Sequence, residues 1–165
     1  MTKPDERDLL LGRLRGQRRH VLDQLEGLSD SALRTPVLPS GWTPLGLVRH
    51  LTLSDERYWF EVVMAGDALD FWPAGDNADW RVGPVEKAAA VIEAYRTAAS
   101  ASDAVIEAFT LDAPPRSPEP WWADAGLSFP DLRAVLVHVL VETATHAGHL
   151  DAARELIDGR QYLVL

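Results

Sequence analysis

The sequence predicts an all-α protein, an antiparallel four-helix bundle with two long loops. Three observations carry this. Four long segments repeat apolar residues at three- and four-residue steps, start and stop signals bracket them, and no stretch offers clean period-two alternation between hairpin turns. The 165 residues suit a single domain spanning 1–165 and able to bury a core unaided.

Asp5 can cap helix one, in which Leu9, Leu10, Leu14, Val21, Leu22 and Leu25 recur at helical steps up to Gly27. A loop with Pro36, Pro39 and Gly41 follows. Thr43 before Pro44 is a helix start with proline in the first turn, and Leu45, Val48, Leu51, Asp55, Tyr58, Trp59 and Val62 continue helix two to Gly66. Residues 66–83 mix Gly, Pro, Asp and Asn with Trp72 and Trp80 and form the first long loop. Pro84 is expected to open helix three, with Val85, Ala88, Ala89, Ile92, Tyr95, Ala99, Ile106 and Phe109 on its face. The second long loop, Thr110 to Leu127, carries Trp121 and Trp122. Ser128, with Asp131 three residues on, resembles a capping box for helix four, whose apolar run from Leu132 to Ile157 closes at Gly159. The tail Gln161 to Leu165 could extend.

The 16 Lys+Arg and 25 Asp+Glu leave a net charge of −9, and the densest basic group, Arg13, Arg15, Arg18 and Arg19, is read as one polar stretch. That disfavours nucleic acid, whose phosphates need clustered cations. With no cysteine, the chain supplies no disulfide, Cys-type zinc site, iron–sulfur cluster or thiol nucleophile, so any thiol chemistry uses a borrowed thiol. The charged N-terminus lacks a signal-peptide core, and no window is apolar enough to span a membrane. The expectation is a cytoplasmic protein.

Helix four contains HVLVETATHAGH, with His138, Glu142, His146 and His149 at offsets 0, 4, 8 and 11. At about 100° per residue these lie at roughly 0, 40, 80 and 20°, one narrow wedge of metal-ligand chemistry. Val135, Val139, Leu150 and Ala153 flank it, so the wedge turns inward, where polar groups need partners. Residues eight apart stand ~12 Å apart along the axis and cannot share an ion. The possible sharing pairs are Glu142 with His146, His146 with His149, and His138 with Glu142. Each supplies two ligands, whereas a catalytic zinc site takes three from the protein and keeps one position open.

His50, two turns into helix two in an otherwise apolar run, is the best third donor; His20, beside Arg18 and Arg19, reads as solvated. Plainer readings stand beside these. His50 could be a hydrogen-bonded core histidine, and Glu142 with His146 an i,i+4 helix pair. His138 and His149 fit better as outer hydrogen-bond partners or substrate-side groups, the candidate catalytic residues, than as ligands. The loop tryptophans Trp72, Trp80, Trp121 and Trp122 could roof a pocket, but pinning the loops to the helices is the preferred reading. The sequence has no HExxH pair, GxSxG elbow, GxxxxGK loop or GxGxxG turn.

SGWTPLGLVRHL, DERYWFEVVMAGD, DNADW and HVLVETATHAGHLDAARELIDG, in that order and spacing, resemble the DinB/YfiT-like superfamily of metal-binding four-helix bundles over almost the whole chain. The resemblance implies a three-ligand site for a divalent ion, zinc or nickel. His50 matches its first ligand and His146 its last, with Glu142 where many relatives carry histidine; mycothiol-dependent maleylpyruvate isomerases, similar in this region, also carry Glu. A His₂Glu shell around Zn²⁺ has a net charge of about +1 and polarises a bound group less than an all-histidine shell.

The resemblance also implies thiol transfer from a low-molecular-weight thiol to an electrophile. Mycothiol leads, because the branch resemblance agrees with the Arg-over-Lys and alanine bias of a high-GC bacterial genome; bacillithiol and glutathione are the alternatives. Maleylpyruvate isomerisation is disfavoured, because those isomerases usually carry a further C-terminal domain. Many relatives dimerise, so a homodimer is expected. Two other functions compete: a metal-assisted hydrolase in which His149 or His138 relays protons, and a non-enzymatic bundle serving as a binding module.

Overall fold

A computed structural model describes residues 5–162 of the protein. Helix α1 (Glu6–Leu25) starts as expected, the Asp5 carboxylate accepting the Asp8 amide at 2.8 Å. It buries Leu11, Leu14, Arg18, Val21 and Leu25, alternating steps of three and four. After the single turn α2 (Asp30–Leu33), Thr43 caps α3 (Pro44–His50) through the Gly46 amide. Lys87 precedes α4 (Ala88–Ala108), and Asp131 caps α5 (Leu132–Asp158), which Gly159 ends in the left-handed region.

Three boundary expectations are corrected. Pro84 does not open a helix. Residues 83–86 turn instead, with Glu86 accepting the Gly83 amide and its own carbonyl taken by Arg34, so α4 begins only at Ala88 and Val85 is 90% exposed. Ser128 is not the cap of α5, because Asp131 itself accepts the Ala134 amide at 2.9 Å. The second helix is not one α-helix to Gly66. At Leu51 its backbone ladder widens to i→i+5 bonds and stays so to Met64, a π-helical segment here called π1. The burial there follows a repeat. Leu51, Asp55, Trp59 and Val63, and beside them Thr52, Glu56, Phe60 and Met64, are all buried at strict four-residue steps.

The four long rods form the all-α bundle. Glu6 pairs with Arg133, His20 with Asp151, and Arg154 with the Gln24 carbonyl, so α1 and α5 run parallel. Arg7 reaches Glu107 while Arg18 reaches Asp103, which sets α1 against α4. Arg49 pairs with Glu86 and Ser102 with the Glu56 carbonyl, so α3–π1 runs alongside α4, and the His50–His146 and Trp59–His138 ring contacts set it against α5. The antiparallel relation thus holds for α1 with α4 and for α3–π1 with α5, while the other two neighbouring pairs are parallel. A parallel neighbour requires a return connection, and residues 65–87 provide it, crossing the length of π1 with a short 3₁₀ turn at Ala78–Trp80. The second loop, residues 109–131, contains another at Pro120–Trp122 and is tied down by Ser117 to Val63, and by Leu132 and Arg133 to the carbonyls of Ala113 and Leu111.

Two apolar clusters fill the bundle. Leu14, Phe60, Val63, Ile106, Leu132 and Val139 belong to one; Val21, Leu45, Leu51, Tyr95, Ala147 and Leu150 belong to the other. Between them every rod contributes polar residues: Arg18 from α1, Asp55 and Glu56 from π1, Ser102 from α4, and Glu142, Thr143 and His146 from α5. Arg18 is a correction to the sequence reading, which placed it on a solvated face. It is buried and grips Glu56 with Nε at 2.7 Å and a terminal nitrogen at 2.5 Å. His20 is likewise packed, bonded to Asp151 at 2.7 Å and stacked on Tyr162. Of the tail, Gln161 and Tyr162 follow α5 without joining a strand, and residues 163–165 lie outside the described residues. No helix among the described residues is long and apolar enough to cross a membrane.

Candidate functional site

The polar layer opens on the side where α3–π1 meets α5. His50 is the last residue of α3, and its Nδ1 lies 2.6 Å from Oδ2 of Asp79, in the 3₁₀ turn of the crossover. The carboxylate accepts a hydrogen bond from Nδ1, which leaves Nε2 as the ring nitrogen not engaged by Asp79. The crossover can come this close because Gly46 sits one turn earlier on α3. A Cβ there would collide with the Trp80 carbonyl oxygen. The Trp80 indole then lies flat on His50, with ring centres 4.1 Å apart and planes 16° apart.

His146 faces His50 from α5, the ring centres 5.2 Å apart and nearly perpendicular. Glu142, one turn before it, has Oε2 at 3.9 Å from His146 Nε2. Burial, reinforced by His50 and His149, pushes the His146 pKa down to about 4, so the imidazole is neutral at ordinary pH. The three residues predicted as metal ligands are therefore neighbours in pairs, across two rods. Among the described residues, no group of three or more His, Asp or Glu side chains is arranged to hold a metal ion. The donor chemistry itself suits one: two imidazoles, one with its far nitrogen held by a carboxylate, and a carboxylate.

The two candidate catalytic histidines part company. His149 is exposed and touches His146, Nδ1 to Nδ1 at 3.4 Å, with Trp42 nearby. His138 points its ring at Trp59 and Phe129, and burial lowers its pKa against the opposing pull of Glu142. It stands on the far side of Glu142 from His146, at the wall of a cavity of about 460 Å³. That cavity is also lined by His50, Asp55, Glu142, Tyr58, Trp59, Trp72, Trp121, Trp122 and Phe129, so three of the four loop tryptophans do roof a pocket. Trp80, stacked on His50, instead lines a second cleft of about 870 Å³ with Arg34, Ser40, Thr43, Asn77 and Arg81 on its walls.

Two residues given no role by the sequence reading belong to this site. Asp79 supports His50 from a loop, where only tertiary docking could reveal it. Asp55 is 2% exposed, lines the cavity, and has an Oδ2 with no hydrogen-bond partner among the described residues. Burial, then Glu56 and Glu142, raises its pKa well above the ordinary carboxylate value, with Arg18 opposing. Its place on the buried row of helix two was the available signal, since an acid at a core position needs a reason. Tyr58 donates to Glu119 at 2.7 Å, and that bond together with burial raises its pKa.

The family model described as mycothiol-S-transferase matches residues 9–159. No curated protein and no solved structure matches the chain.

Proposed function

Since the chain belongs to the mycothiol-S-transferase family, we propose that it transfers a low-molecular-weight thiol, mycothiol first among the candidates, to an electrophile admitted between the two long loops. His50, Glu142 and His146 would hold a divalent ion. When bound, that ion supplies the Lewis acidity that keeps a thiol ionised near neutral pH, a service this cysteine-free chain cannot render alone.

The observation that carries the reading is the meeting of His50 with His146, 5.2 Å apart, and of His146 with Glu142, beside a cavity large enough for a small molecule. The chain's own residues then divide the work. Asp79 engages Nδ1 of His50 and orients its ring. Burial keeps His146 unprotonated. The polar cleft lined by Trp80, with its hydroxyls, amide and guanidinium groups, suits the hydroxyl-rich body of a sugar thiol, while the aromatic cavity excludes water from the electrophile.

Purified protein loaded with zinc should conjugate mycothiol to a bimane-type electrophile, should lose activity with chelator, and should hold about one divalent ion per chain by mass spectrometry. His146→Ala should hold much less. Absence of metal-dependent turnover with mycothiol, bacillithiol and glutathione alike would overturn the reading.

A further inference from the structure

The 460 Å³ cavity differs in chemistry from the cleft lined by Trp80. Six aromatic rings meet there from three parts of the chain: Tyr58 and Trp59 from π1, Trp72 from the crossover, and Trp121, Trp122 and Phe129 from the second loop. Trp59 stacks on Trp122 with planes 18° apart, and Phe129 sits at 4.5 Å from one ring and 4.9 Å from the other, giving a wall of faces and edges. At the mouth, Trp72 and Trp121 remain 40% and 52% exposed, large rings that an occupant would cover.

Charge narrows the occupant further. The ionisable groups on the lining are His50, Asp55, Tyr58, His138 and Glu142; no lysine or arginine is among them. Glu119, bonded to Tyr58, adds another acid close by. In the metal-free chain a carboxylate or phosphate entering here would meet Glu142 and ring faces, both repulsive to an anion, with no lysine or arginine on the lining to compensate. Ser54 and Asp55, adjacent on the lining, are suited to a hydroxyl or amide on an otherwise apolar molecule.

Resting on the transferase reading above, we infer that the electrophile is an uncharged, planar aromatic compound carrying one small polar group, lodged among these rings with that group toward Ser54 and Asp55, and that before metal is bound the chamber disfavours carboxylate-bearing compounds. The test reads binding in metal-free, thiol-free protein, so it does not share its outcome with the turnover assay. 2-Naphthylmethanol and its anionic counterpart 2-naphthoate are titrated against the full chain by calorimetry.

The neutral probe should bind about tenfold or more tightly than the acid, and Trp72→Ala and Trp121→Ala should each weaken it several-fold. Both variants should melt with the wild type, because both rings are part-exposed, and a circular dichroism melt verifies it. Equal or tighter binding of naphthoate, or affinity untouched by both substitutions, would overturn the inference; so would a quaternary naphthylammonium binding far more tightly than the neutral probe, which would make the rings a cation cage. Probe binding without thiol turnover would sink the transferase reading alone. Turnover without probe binding would sink the aromatic chamber alone.

Discussion

Removing the Asp79 carboxylate tests how the candidate centre is supported. In the folded protein this group lies 2.6 Å from His50 Nδ1, and both side chains are mostly out of water, 12% and 16% exposed. It orients the ring, engages Nδ1 and sets a carboxylate beside the imidazole. Outer partners of this kind are typically worth 10- to 100-fold in metal affinity, or about 1.4–2.8 kcal/mol. Asp79→Ala removes all three effects and should approach the upper figure. Asp79→Asn keeps an acceptor but loses the charge, and with neutral hydrogen bonds roughly half as strong as charged ones, it should lose about three- to tenfold. The assay is competitive zinc titration of metal-free protein against a chromophoric chelator, with His50→Ala as the reference for a lost ligand. The order should be wild type, Asn, Ala, then His50→Ala. If Asp79→Ala binds zinc as wild type does while His50→Ala does not, Asp79 is no support for His50. If none of the three differs from wild type, the centre itself is misplaced.

Other perturbations follow from the same geometry. Gly46→Ala sets a methyl against the Trp80 carbonyl, must push the crossover off α3, and should reproduce the zinc-affinity loss of Asp79→Ala in the same titration without touching either residue. Arg18→Ala leaves Glu56 buried without its cation and should cost about 3–5 kcal/mol in urea unfolding, whereas Arg18→Met with Glu56→Leu should recover most of it. His146 is held near pKa 4 in the folded, metal-free protein against about 6.5 when unfolded, so the unfolded chain takes up the proton first as pH falls. Stability is therefore unaffected above about pH 6.5 and declines between there and pH 4, by up to about 3 kcal/mol. His146→Gln should flatten that part of the urea-midpoint profile.

The helices were legible because their signals are local. Asp5, Thr43 and Gly159 act on residues one turn away, and the apolar steps of α1 and α5 follow from the helical period alone. The shift to π1 was not, since buried rows at four-residue steps resemble an α-helical stripe until they are followed for three turns. Arg18 misled for a related reason. A charge flanked by charges reads as solvated when its partner, Glu56, is 38 positions away. At the site, the inward wedge on α5 and an apolar run holding one histidine pointed to His50, Glu142 and His146, of which the structure pairs His50 with His146 and His146 with Glu142. Asp79 could not be found that way, because its position depends on how a loop without periodicity seats itself on Gly46.

In the hydrophilic belt between the two hydrophobic blocks, Arg18 interlocks with Glu56 and also reaches Asp103. The scaffold can therefore be rewritten as a cassette. Codons 50, 55, 142 and 146 can be randomised to seek new chemistries while the fold is carried by layers above and below, provided positions 18 and 56 are exchanged together or left alone.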